Sequence, residues 1–92
     1  MYRIIDKRGS GKTSRLMLLA KETGATIVCA NPNAFEYKAK SYGLNGIRFI
    51  SYTDYFHEDN SEGKYKYLID EIDGMLQAWD YSLIGYCLTP DD

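Results

Sequence analysis

The sequence predicts an α/β protein built as three layers, a parallel sheet of five strands with helices on both faces. Strand-like and helix-like segments alternate along the chain, the pattern of right-handed β–helix–β crossovers. The run Ala25-Thr26-Ile27-Val28-Cys29-Ala30 is β-branched and apolar on both faces, as in a strand covered from each side. Leu16, Leu19 and Ala20 share one helical face by the i, i+3, i+4 rule, with Met17 flanking it.

Each element has a local cause. Tyr2-Arg3-Ile4-Ile5 reads as a first, central strand. A helix is expected from about Lys12 to Thr23, stopped by Gly24 at the C′ position. After the strand over 25–30, Asn31-Pro32 supplies an N-cap and a proline at the first helical position. That helix runs to about Tyr42 and ends at Gly43. Ile47-Arg48-Phe49-Ile50-Ser51 is the third strand, and Ser51 or Thr53 caps a short helical turn through Asp54, Tyr55 and Phe56. Residues 57–64 are polar, contain Gly63 and form a loop. Residues 65–70 make the fourth strand. A helix from Asp73-Gly74 through Trp79 follows, with Trp79 expected as a core anchor. Residues 82–88 make the fifth strand. No repeat, low-complexity tract or linker divides the chain, so residues 1–92 are read as a single domain.

Composition narrows the function classes. The hydrophobic fraction of 45 % is that of a folded protein. A net charge of −2 sets up no global field for nucleic acid, so nucleic-acid binding is left open but unsupported by charge. The longest apolar run, Leu16 to Ala20, is far short of the roughly 20 residues that a membrane span needs. Cys29 and Cys87 lie in apolar strand-like runs and are expected as buried, reduced thiols in a cytoplasmic protein. Two cysteines cannot form a structural zinc site. Tyr52, Tyr55, Phe56, Tyr65 and Tyr67 surround the polar loop. They suit base stacking on single strands, or half-buried positions in a small core.

The chemistry concentrates in Asp6-Lys7-Arg8-Gly9-Ser10-Gly11-Lys12-Thr13, between an apolar run and a helical pattern. Gly9 and Gly11 allow a turn whose N–H groups converge on an anion. The helix beginning near Lys12 adds unsatisfied N–H groups and the positive end of its dipole. A Gly/Ser-rich turn before an ordinary helix would leave a similar trace. Gly-Lys-Thr in strand-to-helix context resembles the P-loop NTPases. That resemblance implies nucleotide binding by Arg8, Gly9, Ser10, Gly11, Lys12, Thr13 and Ser14. It places Lys12 on the β- and γ-phosphates as a catalytic cation and the Thr13 hydroxyl on Mg²⁺. Asp6 stands where the family has its first glycine, and brings negative charge close to the polyphosphate.

Tyr67-Leu68-Ile69-Asp70-Glu71 is an apolar strand ending in two carboxylates and resembles the Walker B element. By that resemblance Asp70 holds Mg²⁺ and Glu71 is the catalytic residue that polarises the attacking water. A solvated acidic pair at a strand end is the other reading. Thr89, next to Pro90, matches the γ-phosphate sensor of helicases and phage terminase ATPases, or caps a strand end. The same resemblance implies the strand order 1-5-4-2-3 and only the core of that fold, with no upstream adenine-gripping segment, second lobe or C-terminal lid. The function so implied is ATP or GTP binding with slow Mg²⁺-dependent hydrolysis. It is partner-activated and linked to nucleic-acid processing, in a minimal P-loop protein of phage type. The alternative is a non-catalytic interaction module that binds a protein partner through the same scaffold. A third reading is a truncated domain that needs a second polypeptide to form a motor.

Overall fold

The computed structural model describes residues 11–87. The first expected strand, Asp6 to Ser10, and the stretch with Thr89 and Pro90 lie outside the described residues. In chain order the elements are α1 (Lys12–Thr23), β1 (Thr26–Cys29), α2 (Pro32–Ser41), β2 (Phe49–Ser51), α3 (Tyr52–His57), β3 (Tyr67–Ile69) and α4 (Ile72–Trp79).

The three described strands form one parallel sheet in the order β2-β1-β3. Val28 stands opposite Ile50 on one side and Ile69 on the other. The side-chain period of two divides β1 between two cores. Ile27 and Cys29 face α1 and α2, packing with Leu16, Met17, Ala20 and Ala39. Val28 faces the opposite side, with Ile50, Tyr52 and Met75. Every residue of β1 is buried, as its two-faced apolar sequence requires. In α1 it is Met17, at 0 % exposure, that enters the core most deeply, whereas Leu19 stays half-buried.

The turn chemistry works as residue type dictates. Gly24 ends α1 in the left-handed region at φ 74, and its N–H donates to the Ala20 carbonyl. Asn31 Oδ1 accepts the Ala34 N–H at 3.2 Å and caps α2. Ser51 Oγ accepts the Asp54 N–H at 3.1 Å and starts α3. At the amino ends of the strands, Arg48 pairs with Glu58, donates to Thr26 Oγ1 at 3.2 Å, and stacks over the Tyr65 ring. The Tyr67 hydroxyl donates to Glu58, and the rings of Tyr55 and Tyr67 meet edge-on at 4.8 Å. These aromatics are thus packing groups at the end of the sheet opposite the two carboxylates.

The expected five-stranded, three-layer P-loop sandwich, with its order 1-5-4-2-3, is not the architecture found. The sheet has three strands among the described residues. The run expected as a fifth strand forms none over 83–87, and those residues are exposed. Asp80 Oδ1 accepts both the N–H and the hydroxyl of Ser82, closing a turn where the strand was expected to begin. Gly85 weakens any extended run, and the Tyr86 hydroxyl is tied to Asp73 of α4 rather than directed to the sheet. Cys87 is accordingly exposed, contrary to expectation, while Cys29 is buried. Trp79 is 71 % exposed and touches Phe56 ring to ring, so it is not a core anchor.

Candidate functional site

The head of α1 and the turn after β3 meet at one end of the sheet. Gly11 lies at φ 86, a conformation that glycine adopts without steric cost, and gives α1 no side-chain cap. The first main-chain bond of the helix is Arg15 N–H to the Gly11 carbonyl at 3.1 Å. The first-turn N–H groups, those of Thr13 and Ser14 among them, therefore have no intrahelical acceptor. Together with the dipole they give this helix end a positive potential.

Across from it, the ladder carries past β3, because the Asp70 N–H donates to the Val28 carbonyl at 2.9 Å. Glu71 then turns the chain into α4 at φ 57, a left-handed conformation for a non-glycine residue, at a cost on the order of 1–3 kcal/mol. The Glu71 side chain does not cap α4. It reaches back to α1, with Lys12 Nζ 2.8 Å from Glu71 Oε1. The Tyr52 hydroxyl holds the turn from beneath, donating to the Asp70 carbonyl at 2.7 Å and the Glu71 carbonyl at 3.3 Å. Gly74 leaves room for that ring, since a Cβ there would stand 3.3 Å from the hydroxyl.

The charges perturb one another. Burial, reinforced by Glu71, raises the Asp70 carboxyl above its ordinary value, while Lys12 and Lys38 pull it back. Burial and then the charge of Asp70 push the Cys29 thiol up to about 11 and the Tyr52 hydroxyl to about 12. Both stay protonated at neutral pH, so neither is a nucleophile there.

Gly11, Lys12, Thr13, Ser14, Lys38, Tyr42 and Glu71 line a cleft of about 390 Å³. The geometry brings together Gly11, Lys12, Thr13, Ser14, Asp70 and Glu71 of the sequence-predicted residues. Arg8, Gly9, Ser10 and Thr89 lie outside the described residues. Sequence reasoning missed Lys38 and Tyr42, and named Tyr52 as a stacking or half-buried residue beside the loop without its role under the acidic turn. Lys38 and Tyr42 are one helical turn apart, and that spacing was the signal available for them. Nothing local marked Tyr52 as the support of that turn, because the partners of its hydroxyl are eighteen and nineteen residues away.

Among the described residues no group of three or more His, Cys, Asp or Glu is arranged to hold a metal ion. The oxygen donors Thr13, Asp70 and Glu71 are those Mg²⁺ takes when it arrives with phosphate, through one or two carboxylates and substrate oxygens. Burial penalises the charged form of the Asp70 carboxyl beside Glu71, a cost that such a cation would relieve. The residues fit Mg²⁺ as the companion of a phosphate ligand.

No helix among the described residues is long and apolar enough to cross a membrane. No protein-family model matches the chain, and neither a curated protein nor a solved structure matches it.

Proposed function

We propose that the protein binds ATP or GTP at the head of α1 and hydrolyses it slowly with Mg²⁺. One observation carries this: Lys12 and the Asp70–Glu71 turn converge at the same end of the sheet, with Lys12 paired to Glu71 at 2.8 Å. Two further features support it: the capless start of α1, and the resemblance of Gly11-Lys12-Thr13 to the phosphate-binding motif of P-loop NTPases.

The chain's own groups divide the work. First-turn N–H groups and the Lys12 ammonium hold the phosphate chain and oppose the charge that builds as the terminal phosphoryl group leaves. Phosphate binding draws Lys12 from Glu71 and releases that carboxylate to orient a water and accept its proton. Asp70 and the Thr13 hydroxyl are the residues that would hold Mg²⁺, which supplies neutralisation of phosphate charge when bound. The Tyr52 hydroxyl fixes the backbone of both acids and so their placement. Hydrolysis is expected to be slow alone and faster with a partner, in a setting of nucleic-acid processing.

Phosphate release from ATP and GTP, with and without chelator, tests this. Glu71→Gln should lose most turnover and keep nucleotide binding, and Lys12→Ala should lose both. Turnover unaffected by chelator, or equal in wild type and Glu71→Gln, would contradict the catalytic assignment.

A second reading, a non-catalytic interaction module, is favoured by the exposed Trp79, Tyr81 and Ile84. It requires a protein partner whose binding survives Lys12→Ala and does not depend on nucleotide.

A further inference from the structure

The cleft holds two side chains from α2 that the catalytic assignment leaves unused. Lys38 and Tyr42 line it opposite Lys12, Thr13 and Ser14. They sit one turn apart, linked by the Tyr42 N–H to the Lys38 carbonyl at 3.2 Å. Among the described residues the Lys38 ammonium has no ion-pair partner, whereas Lys12 is held by Glu71 and Lys40 by Glu36. Lys38 is nonetheless close enough to Asp70 to act on its charge. The Thr13 and Ser14 side chains, half-buried on the α1 side with Lys12, make no hydrogen bond among the described residues. Tyr42 is 49 % exposed, lines the cleft and belongs to neither core.

A cleft lined by a cation from each of two helices, by first-turn donor groups and by an aromatic residue, with the Glu71 carboxylate held on Lys12, suits a ligand with a polyanionic chain and a flat ring once that chain displaces Glu71. A simple anion would leave the ring unused. We infer that Lys38 is a second phosphate-contacting residue and Tyr42 a base-stacking residue, so that the cleft selects a nucleoside triphosphate over an inorganic polyphosphate. This rests on the phosphate-binding role of the α1 head proposed above and assigns the opposite wall. Lys38 shares the phosphate charge with Lys12 from the other side, and Tyr42 gives the base a surface it would lack if only α1 held the ligand.

The test is calorimetric titration of ATP and of inorganic tripolyphosphate, each with Mg²⁺. It uses wild type, Lys12→Ala, Lys38→Gln and Tyr42→Ala, with folding of each variant checked by circular dichroism melting. Wild type should prefer ATP. Lys38→Gln should weaken both ligands by about tenfold, because a charge-assisted hydrogen bond is lost. Tyr42→Ala should weaken ATP by about tenfold and leave tripolyphosphate unchanged. Equal binding of the two ligands by wild type, unchanged affinities in Lys38→Gln, or equal loss of both ligands in Tyr42→Ala would overturn the inference. If wild type and Lys12→Ala bind ATP alike while Lys38→Gln weakens it, the α1 head itself is misassigned. Loss in Lys12→Ala with no effect of Lys38→Gln or Tyr42→Ala overturns only the role of α2.

Discussion

Tyr52 ties one face of the core to the turn that carries both acids. Its hydroxyl is the donor to the Asp70 and Glu71 carbonyls, at 2.7 and 3.3 Å. Tyr52→Phe removes that donor from a buried site and should cost about 1–2 kcal/mol in chemical denaturation. The hydroxyl has its pKa raised to about 12, first by burial and then by the charge of Asp70. A group raised in the folded state contributes stability that is complete below its unfolded pKa of about 10 and lost as pH rises through its folded value. Wild-type stability should therefore fall between about pH 10 and 12, with a shallower fall in Tyr52→Phe. Parallel curves would contradict this. The Lys12–Glu71 pair behaves differently. Its side chains are 30 % and 55 % exposed, and water screens a pair so placed. Glu71→Gln should change stability by less than about 1 kcal/mol in the same denaturation. The pair is weak enough for a phosphate to displace, as its proposed role requires.

At the scale of elements, caps and close approaches decide where the helices begin. Asn31→Ala leaves the Ala34 N–H without its acceptor and should lower stability by about 1 kcal/mol. In α4, Gly74→Val would press a branched side chain on Tyr52, whose hydroxyl a Cβ alone would approach to 3.3 Å. About 1–3 kcal/mol of destabilisation is expected in thermal melts, because overpacking shifts the ring from its carbonyl partners. Elements with a strong local signal were legible in the sequence. The Asn31-Pro32 start, the Gly24 stop and the all-buried β1 each follow from residue type. The run over 83–87 was misread because its apolar residues resemble a strand, while the Asp80–Ser82 turn and the Tyr86–Asp73 bond hold it elsewhere. The Asp80–Ser82 turn is a local signal that the apolar pattern masked, whereas the Tyr86–Asp73 bond depends on tertiary placement, which a linear pattern does not encode. Lys12 and the acids could be paired from their motifs, but Lys38 and Tyr42 look like an ordinary helix surface until α2 is set beside α1.

At the scale of the whole molecule, one short strand serves two cores. Ile27 packs on the α1–α2 face and Val28 on the α3–α4 face, both at 0 % exposure. Ile27→Ala should cost about 2–5 kcal/mol, a large share of the 5–15 kcal/mol typical of a domain. This arrangement also sets the site, because α1 on one face and the β3–α4 turn beside the sheet meet only while β1 holds both in register. The most direct measurement is calorimetric titration of Mg²⁺–ATP into wild type and Lys12→Ala. Saturable binding by wild type, weakened at least about tenfold in the folded variant, is the predicted result. Equally poor binding by both at millimolar nucleotide would contradict a phosphate seat at the head of α1.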